Sequence, residues 1–135
     1  MEGEKKKILI VDDDSFLLDM YALKFSQNNF SVFTAINGLQ AIDKIKGGLN
    51  PDVILLDIMM PEMDGFEMLE KINADKLSPN SIKLVLSNKN QQADIDQGKE
   101  LGVAGYIVKA NSTPMEVINQ VQNILSEKII KKQND

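Results

Sequence analysis

The residues best equipped for chemistry in this chain are acidic, hydroxyl-bearing and cationic side chains that each follow a short apolar run. Asp12, Asp13 and Asp14 follow residues 8–11, Asp57 follows Val53–Leu56, Ser87 and Asn88 follow residues 82–86, and Lys109 follows Gly105–Val108. In an open parallel sheet, ligands bind beyond the carboxyl ends of the strands, so these are the positions from which side chains reach a site. If the runs lie side by side, three carboxylates, a hydroxyl and an ammonium converge on one rim. That set suits a hard cation and a phosphoryl group. Mg²⁺ takes a few carboxylate oxygens and keeps waters, while a lysine and a hydroxyl can hold the phosphoryl oxygens left over. Without a cation, clustered carboxylates repel one another.

Each piece has a plainer reading when taken alone. Aspartates ahead of a helix serve as N-caps and favour its dipole. Ser87 alone reads as a turn residue, and Lys109 alone as a surface residue lying along its own apolar stem. Asp57 is harder to set aside, because it emerges directly from a buried apolar run, where an unpaired charge is costly.

Five β-branched runs alternate with amphipathic stretches along the whole chain, the pattern of a parallel sheet built from repeating strand and helix pairs. The strands are expected at residues 8–11, Phe30–Ala35, Val53–Leu56, residues 82–86 and Gly105–Val108. Leu17, Met20, Tyr21 and Phe25 form one helical core stripe, Leu39, Ile42 and Ile45 a second, and Phe66, Leu69 and Ile72 a third. Thr113, Pro114 and Glu116 mark the start of the last helix by N-cap, first-turn proline and capping box. A fourth helix around residues 91–101 is expected to be the least stable, since Ala93, Ile95 and Leu101 are its only apolar contacts and Gly98 interrupts it. Gly102 is expected to end it in a left-handed conformation. Past about Lys128 a frayed tail is expected.

Composition narrows the function classes. With 135 residues the chain suits one domain, with a core at about residues 6–125, and its 43% hydrophobic and 26% charged content is that of a globular protein. A net charge of −5 repels phosphate backbones, so direct nucleic-acid binding is not expected; the lysine runs at residues 5–7 and 131–132 read as solvated ends. There is no cysteine and no histidine, so the chain has no thiolate nucleophile and no imidazole base, and it cannot itself carry a phosphohistidine. No apolar segment is long enough to span a bilayer or form a signal-peptide core, which leads to the expectation of a cytoplasmic protein with no membrane partner.

Four segments then carry a specific likeness: Ile-Leu-Ile-Val-Asp-Asp-Asp at 8–14, Asn-Gly-Leu-Gln-Ala-Ile at 37–42, Asp-Ile-Met-Met-Pro-Glu-Met-Asp-Gly at 57–65 and Gly-Val-Ala-Gly-Tyr-Ile-Val-Lys at 102–109. In order and spacing the chain resembles the receiver domains of two-component response regulators, in particular single-domain chemotaxis regulators. The resemblance implies an α/β, flavodoxin-like receiver fold, a doubly wound five-stranded parallel sheet of order 2-1-3-4-5. It implies Asp57 as phosphoacceptor, Mg²⁺ held by Asp12, Asp13, Asp57 and the Met59 backbone carbonyl, and Ser87 and Lys109 on the phosphoryl group. Tyr106 matches the aromatic residue that responds when Ser87 is drawn to the phosphate, switching a face made of the fourth helix, fifth strand and fifth helix. The implied donor is a histidine kinase, a histidine phosphotransfer protein or a small phosphodonor. The implied role is signalling to a downstream protein that the sequence does not identify, with no turnover of a separate substrate.

The chain departs from the family pattern in two places. Ala110 stands where proline usually follows the lysine, and Asn88 stands where a small residue usually follows the hydroxyl. A cis peptide before a non-proline residue costs about 2.5–4 kcal/mol, so the Lys109–Ala110 bond is expected to be trans. In this family the residues two positions after the phosphoacceptor and after the hydroxyl tune phosphoryl lifetime; here they are Met59 and Lys89, with Lys89 able to donate to a water or pair with the phosphoryl oxygens. Two other functions stay open. Asp12 and Asp14 form the Asp-x-Asp pair of a haloacid-dehalogenase-like phosphohydrolase, although Phe16 is out of place there and Asp57 would have no role. A pseudo-receiver acting as a constitutive binding module would keep the fold without using the site. A nucleotide-binding protein is disfavoured, because no glycine-rich phosphate loop follows the first strand.

Overall fold

The computed structural model describes the backbone of residues 5–134 and the side chains of residues 5–128. The tail expected beyond Lys128 falls outside the described side chains. The elements alternate as expected: β1 (Lys6–Val11), α1 (Ser15–Gln27), β2 (Phe30–Ala35), α2 (Gly38–Lys46), β3 (Val53–Leu56), α3 (Gly65–Ala74), β4 (Ile82–Ser87), α4 (Gln92–Glu100), β5 (Gly105–Val108) and α5 (Pro114–Asn134), with a short 3₁₀ turn at Lys109–Asn111. All strand pairs are parallel and the order is β2-β1-β3-β4-β5. The expected fold class and order are therefore those of the structure.

Alternation along each strand divides the core into two layers. Ile8, Ile10, Val53, Leu55, Leu84 and Leu86 face α1 and α5, where they meet Leu18, Phe25, Val117, Ile118 and Val121. Leu9, Val11, Ile54 and Leu56 face the other way, against Ile42 and Ile45 of α2 and Met68, Leu69 and Ile72 of α3. The central β3 is buried at every position, so it offers no polar side chain until the chain leaves the sheet at Asp57.

Three local expectations change. β1 begins at Lys6, two residues before its apolar run, because backbone pairing of Lys6 and Lys7 with Phe30 and Ser31 does not require buried side chains. Leu39 is exposed; the buried face of α2 is Gly38, Ala41, Ile42 and Ile45, so small residues fill places the stripe had assigned to a large one. In α4, Ala93 is also exposed, and Gly98 is a contact point, with its missing Cβ leaving room 3.2 Å from Val103 and 3.3 Å from the Tyr106 ring. Gly102 follows the helix with φ +89°, as expected of a left-handed terminator. The last helix starts as read: Thr113 Oγ1 accepts from the Glu116 N–H at 3.2 Å, and Glu116 accepts from the Thr113 N–H at 2.9 Å.

Candidate functional site

Sheet register brings the candidate residues together. Val11 pairs with Leu56, so Asp12 and Asp57 leave adjacent strands side by side; their N–H groups remain anchored to Ala35 O at 3.1 Å and Val11 O at 3.0 Å. On the other side, Ser87 pairs with Val108, which places Lys109 one residue beyond the hydroxyl. The three aspartates after β1 then part company. Asp14 is the N-cap of α1, accepting from the Phe16 and Leu17 N–H groups at 3.1 Å, so the plainer reading holds for it. Asp12 turns inward and accepts from the Asp14 N–H at 2.9 Å. The Asp-x-Asp pairing that a haloacid-dehalogenase-like site requires is thereby committed to a helix cap on its second member.

One oxygen from each of Asp12, Asp13 and Asp57 lies within 4.8 Å of the other two. Asp12 and Asp57 are buried, while Asp13 is exposed at the rim. The Lys109 ammonium donates to Asp12 Oδ2 at 2.6 Å and to Asp57 Oδ2 at 2.8 Å. The other oxygen of Asp57 accepts from the Ile58 N–H at 2.7 Å and the Met59 N–H at 3.3 Å. Burial pushes the Asp12 carboxyl above its usual range, against the lowering effect of the Lys109 bond. For Lys109, burial opposes the charge, but the bonds to Asp12 and Asp57 outweigh it and hold the ammonium above its ordinary value. Three carboxylates against one ammonium leave a net charge of about −2 around a partly open rim, which fits a divalent hard cation.

The remaining residues form a second set beside the first. Ser87 is fully buried, and its Oγ accepts from the Lys89 N–H at 3.2 Å. The Tyr106 hydroxyl donates to the Lys89 carbonyl, and burial, with Asp94 and Asp57 nearby, pushes the phenol up to about 12. The Lys89 ammonium pairs with Asp94 at 2.8 Å, and Asp94 in turn accepts from the Gln91 N–H at 3.0 Å at the start of α4. Lys89 is therefore turned toward α4, whereas the family likeness implies a place for it beside a phosphoryl group on Asp57. The reason is the buried Asp94, whose carboxylate gains a cation partner there. Met59 is 63% exposed, beside the acidic cluster. The Lys109–Ala110 peptide is trans, since the described residues contain no cis peptide.

The profile described as "Response regulator receiver domain" matches residues 8–122. This chain belongs to the response regulator receiver domain family. Among its relatives, the transcriptional regulatory protein ResD of Bacillus subtilis is 39% identical over 126 residues, covering 92% of this chain and 50% of ResD. The chemotaxis protein CheY of Thermotoga maritima is 35% identical over 119 residues, covering 86% of this chain and 97% of CheY. The CheY-like receiver domain protein of Methanospirillum hungatei superposes with a TM-score of 0.84 at 26% identity, covering 94% of this chain and 98% of that one. The receiver domain spans about half the length, or less, of several curated relatives it matches. Its likeness to them is thus a likeness to the receiver portion of two-component response regulators. Among the described residues, no helix is long and apolar enough to cross a membrane.

Sequence reasoning missed two features of this site. The Lys89–Asp94 pair crosses a turn whose path no local pattern dictates. The hydrogen bond between Asn88 and Ala110 joins residues 22 positions apart. The signal available for the first was Gln91 and Asp94 at capping spacing, which marks where α4 begins.

Proposed function

We propose that this receiver domain accepts a phosphoryl group on Asp57 from the phosphohistidine of a histidine kinase or phosphotransfer protein, or from a small phosphodonor, and passes the signal on through its α4, β5 and α5 face. The observation that carries this reading is the buried Asp57 carboxylate, held between the Lys109 ammonium and two backbone N–H groups and adjoining two further carboxylates. Asp57 supplies the attacking oxygen; a new P–O bond forms while the donor's P–N or P–O bond breaks and its electron pair leaves with the donor. Lys109 balances charge on the phosphoryl oxygens, and the Ser87 hydroxyl can bond to one of them. Asp12, Asp13, Asp57 and the Met59 carbonyl would hold Mg²⁺, which when bound neutralises charge on the transferring group. No imidazole base is needed, because a carboxylate nucleophile, unlike a serine hydroxyl, does not depend on a neighbouring base to activate it.

The test is intact mass after incubation with acetyl phosphate. A gain of one phosphoryl group that needs Mg²⁺, is blocked by EDTA and is removed by hydroxylamine supports an acyl phosphate. No gain in Mg²⁺ sinks the phosphoacceptor reading and leaves the constitutive binding module in its place.

Phosphorylation also has a physical route to α4. A phosphoryl oxygen that accepts from the Ser87 hydroxyl draws Oγ toward Asp57 and away from the Lys89 N–H it accepts from, and Lys89 carries the anchors of both Tyr106 and Asp94. α4 buries only Asp94 and Gly98, so a few kcal/mol of new phosphate contacts is enough to bias it. Amide exchange across residues 91–106 should therefore change on phosphorylation or on binding of a phosphoryl mimic. Identical exchange in both states removes the coupling.

The lifetime of the acyl phosphate follows from the same geometry. Hydrolysis needs a water in line with phosphorus, and neither neighbour is suited to hold it. Met59 offers a thioether, and the Lys89 ammonium is occupied by Asp94. Met59→Asn adds a polar side chain at the approach and should speed dephosphorylation by roughly tenfold, less than the roughly 10²–10⁴-fold of a general acid or base because asparagine can only orient the water. Loss of phosphorylated mass after donor removal, in Mg²⁺ at neutral pH, measures it; a parent that decays as fast as the variant rules the explanation out.

A further inference from the structure

The two residues that depart from the family pattern are bonded to each other. Asn88 Oδ1 accepts from the Ala110 N–H at 2.7 Å. Asn88 directly follows Ser87, and Ala110 directly follows Lys109, so the bond ties the loop after β4 to the turn after β5 just beyond the last paired residues, Ser87 and Val108. Ala110 lies in the 3₁₀ turn Lys109–Asn111, where the first N–H groups have no partner within the turn. The turn's own closure is weak, from the Ser112 N–H to Lys109 O at 3.3 Å. Beside it an open groove of about 260 Å³ runs between the turn and Leu17, Tyr21 and Pro114.

The two departures make sense only as a pair. Proline at 110 would remove the donor, and a small apolar residue at 88 would remove the acceptor. Lys109 directly precedes the Ala110 end of this tie and lies level with its Asn88 end, one step beyond the Ser87–Val108 pair, and its ammonium reaches Asp12 and Asp57 at the same time. We propose that Asn88 is a positioning residue, which sets Lys109 for phosphoryl transfer by holding the Ala110 N–H. It does with a side-chain hydrogen bond what a proline at 110 would do by restricting the backbone.

This inference rests on Asp57 as phosphoacceptor, and the experiment separates the two. Five proteins are compared: the parent, Asn88→Ala, Asn88→Asp, Ala110→Pro and the double variant Asn88→Ala/Ala110→Pro, each confirmed as folded by circular dichroism. Exchange of the Ala110 amide, measured without Mg²⁺ or donor, should be at least about tenfold faster in Asn88→Ala, and protected as in the parent in Asn88→Asp, which keeps the acceptor. The maximal rate of phosphorylation by acetyl phosphate should fall roughly five- to tenfold in Asn88→Ala, which loses the tie, and in Ala110→Pro, where the Asn88 carboxamide oxygen is left 2.7 Å from a nitrogen without a hydrogen and pushes the turn away, since small misplacements of a charge-balancing group are costly. Half-saturating Mg²⁺ should stay within about twofold, because Asp12, Asp13 and Asp57 are untouched. The double variant should recover to within about threefold of the parent, where independent effects would multiply. Full-rate phosphorylation of Asn88→Ala with unchanged Ala110 exchange overturns the proposal, as does a double variant slower than either single. A parent that takes no phosphoryl group instead overturns the phosphoacceptor reading, and this proposal with it.

Discussion

Asp57→Asn should take up no phosphoryl group under conditions in which the parent is fully converted, and it should fold at least as well in the absence of Mg²⁺. The first half follows from chemistry. An amide oxygen is a poor nucleophile, and although Asp12 and Asp13 lie within 4.8 Å, Asp12 is held by Lys109 and the Asp14 N–H while Asp13 stands at the exposed rim. The second half follows from the charge balance. Three carboxylates share one ammonium, and like charges about 4 Å apart cost from about 1 kcal/mol in water to about 4 kcal/mol near a protein surface. The side-chain amide of the variant would still accept from the Ile58 and Met59 N–H groups, and Lys109 would keep Asp12. The thermal midpoint without Mg²⁺ should therefore not fall. The parent should gain about 1.4 kcal/mol, or about 5 °C, at Mg²⁺ ten times its Kd, and the variant much less. Intact mass and thermal melts with and without Mg²⁺ check both halves; a phosphorylated Asp57→Asn, or one that melts well below the parent in EDTA, contradicts them.

The same electrostatic logic explains why the site was legible in the sequence and its surroundings were not. A buried strand tolerates no unpaired charge, so an aspartate directly after Val53–Leu56 marks the rim of a sheet by position alone. Asp12, Ser87 and Lys109 could be read the same way, each at the end of its own run. What periodicity did not supply was strand order, which came from the family likeness, and the fate of side chains whose partners are chosen by tertiary structure. Lys89 finds Asp94 and Asn88 finds Ala110 because two loops meet above β4 and β5. Leu39 was misplaced for a different reason: Gly38 and Ala41 complete the buried face of α2, and a stripe drawn through large apolar residues passes over small ones.

Gly65 was visible in the motif at 57–65, but only the structure gives its reason, and that reason predicts a large loss of stability. Gly65 is the first residue of α3, and its N–H donates to Ile58 O at 2.9 Å, which draws the helix start against the loop that carries Asp57. A Cβ at this position would lie 2.4 Å from the Asp57 carbonyl oxygen and 2.8 Å from Ile58 Cα. Both are backbone atoms, so no rotamer change relieves the clash; either α3 retreats or the loop does. α3 carries Met68, Leu69 and Ile72 into the core, and the loop carries Asp57. Overpacking typically costs about 1–3 kcal/mol, and with two backbone atoms closer than 3 Å Gly65→Ala should lie at the top of that range or above it, at about 3 kcal/mol or more. Gly38→Ala provides the contrast. Its Cβ would meet the Met63 sulfur at 3.0 Å, the far end of a flexible side chain, and the change should cost less than about 1 kcal/mol because alanine also favours the helix. Urea unfolding of the two variants measures the difference. Because the Asp57 loop must shift to admit the new methyl group, the Gly65→Ala protein that remains folded should also phosphorylate at least about tenfold more slowly than Gly38→Ala. Equal stability of the two variants would show that α3 can slide without cost, and that the glycine is not what holds the helix start against the Asp57 loop.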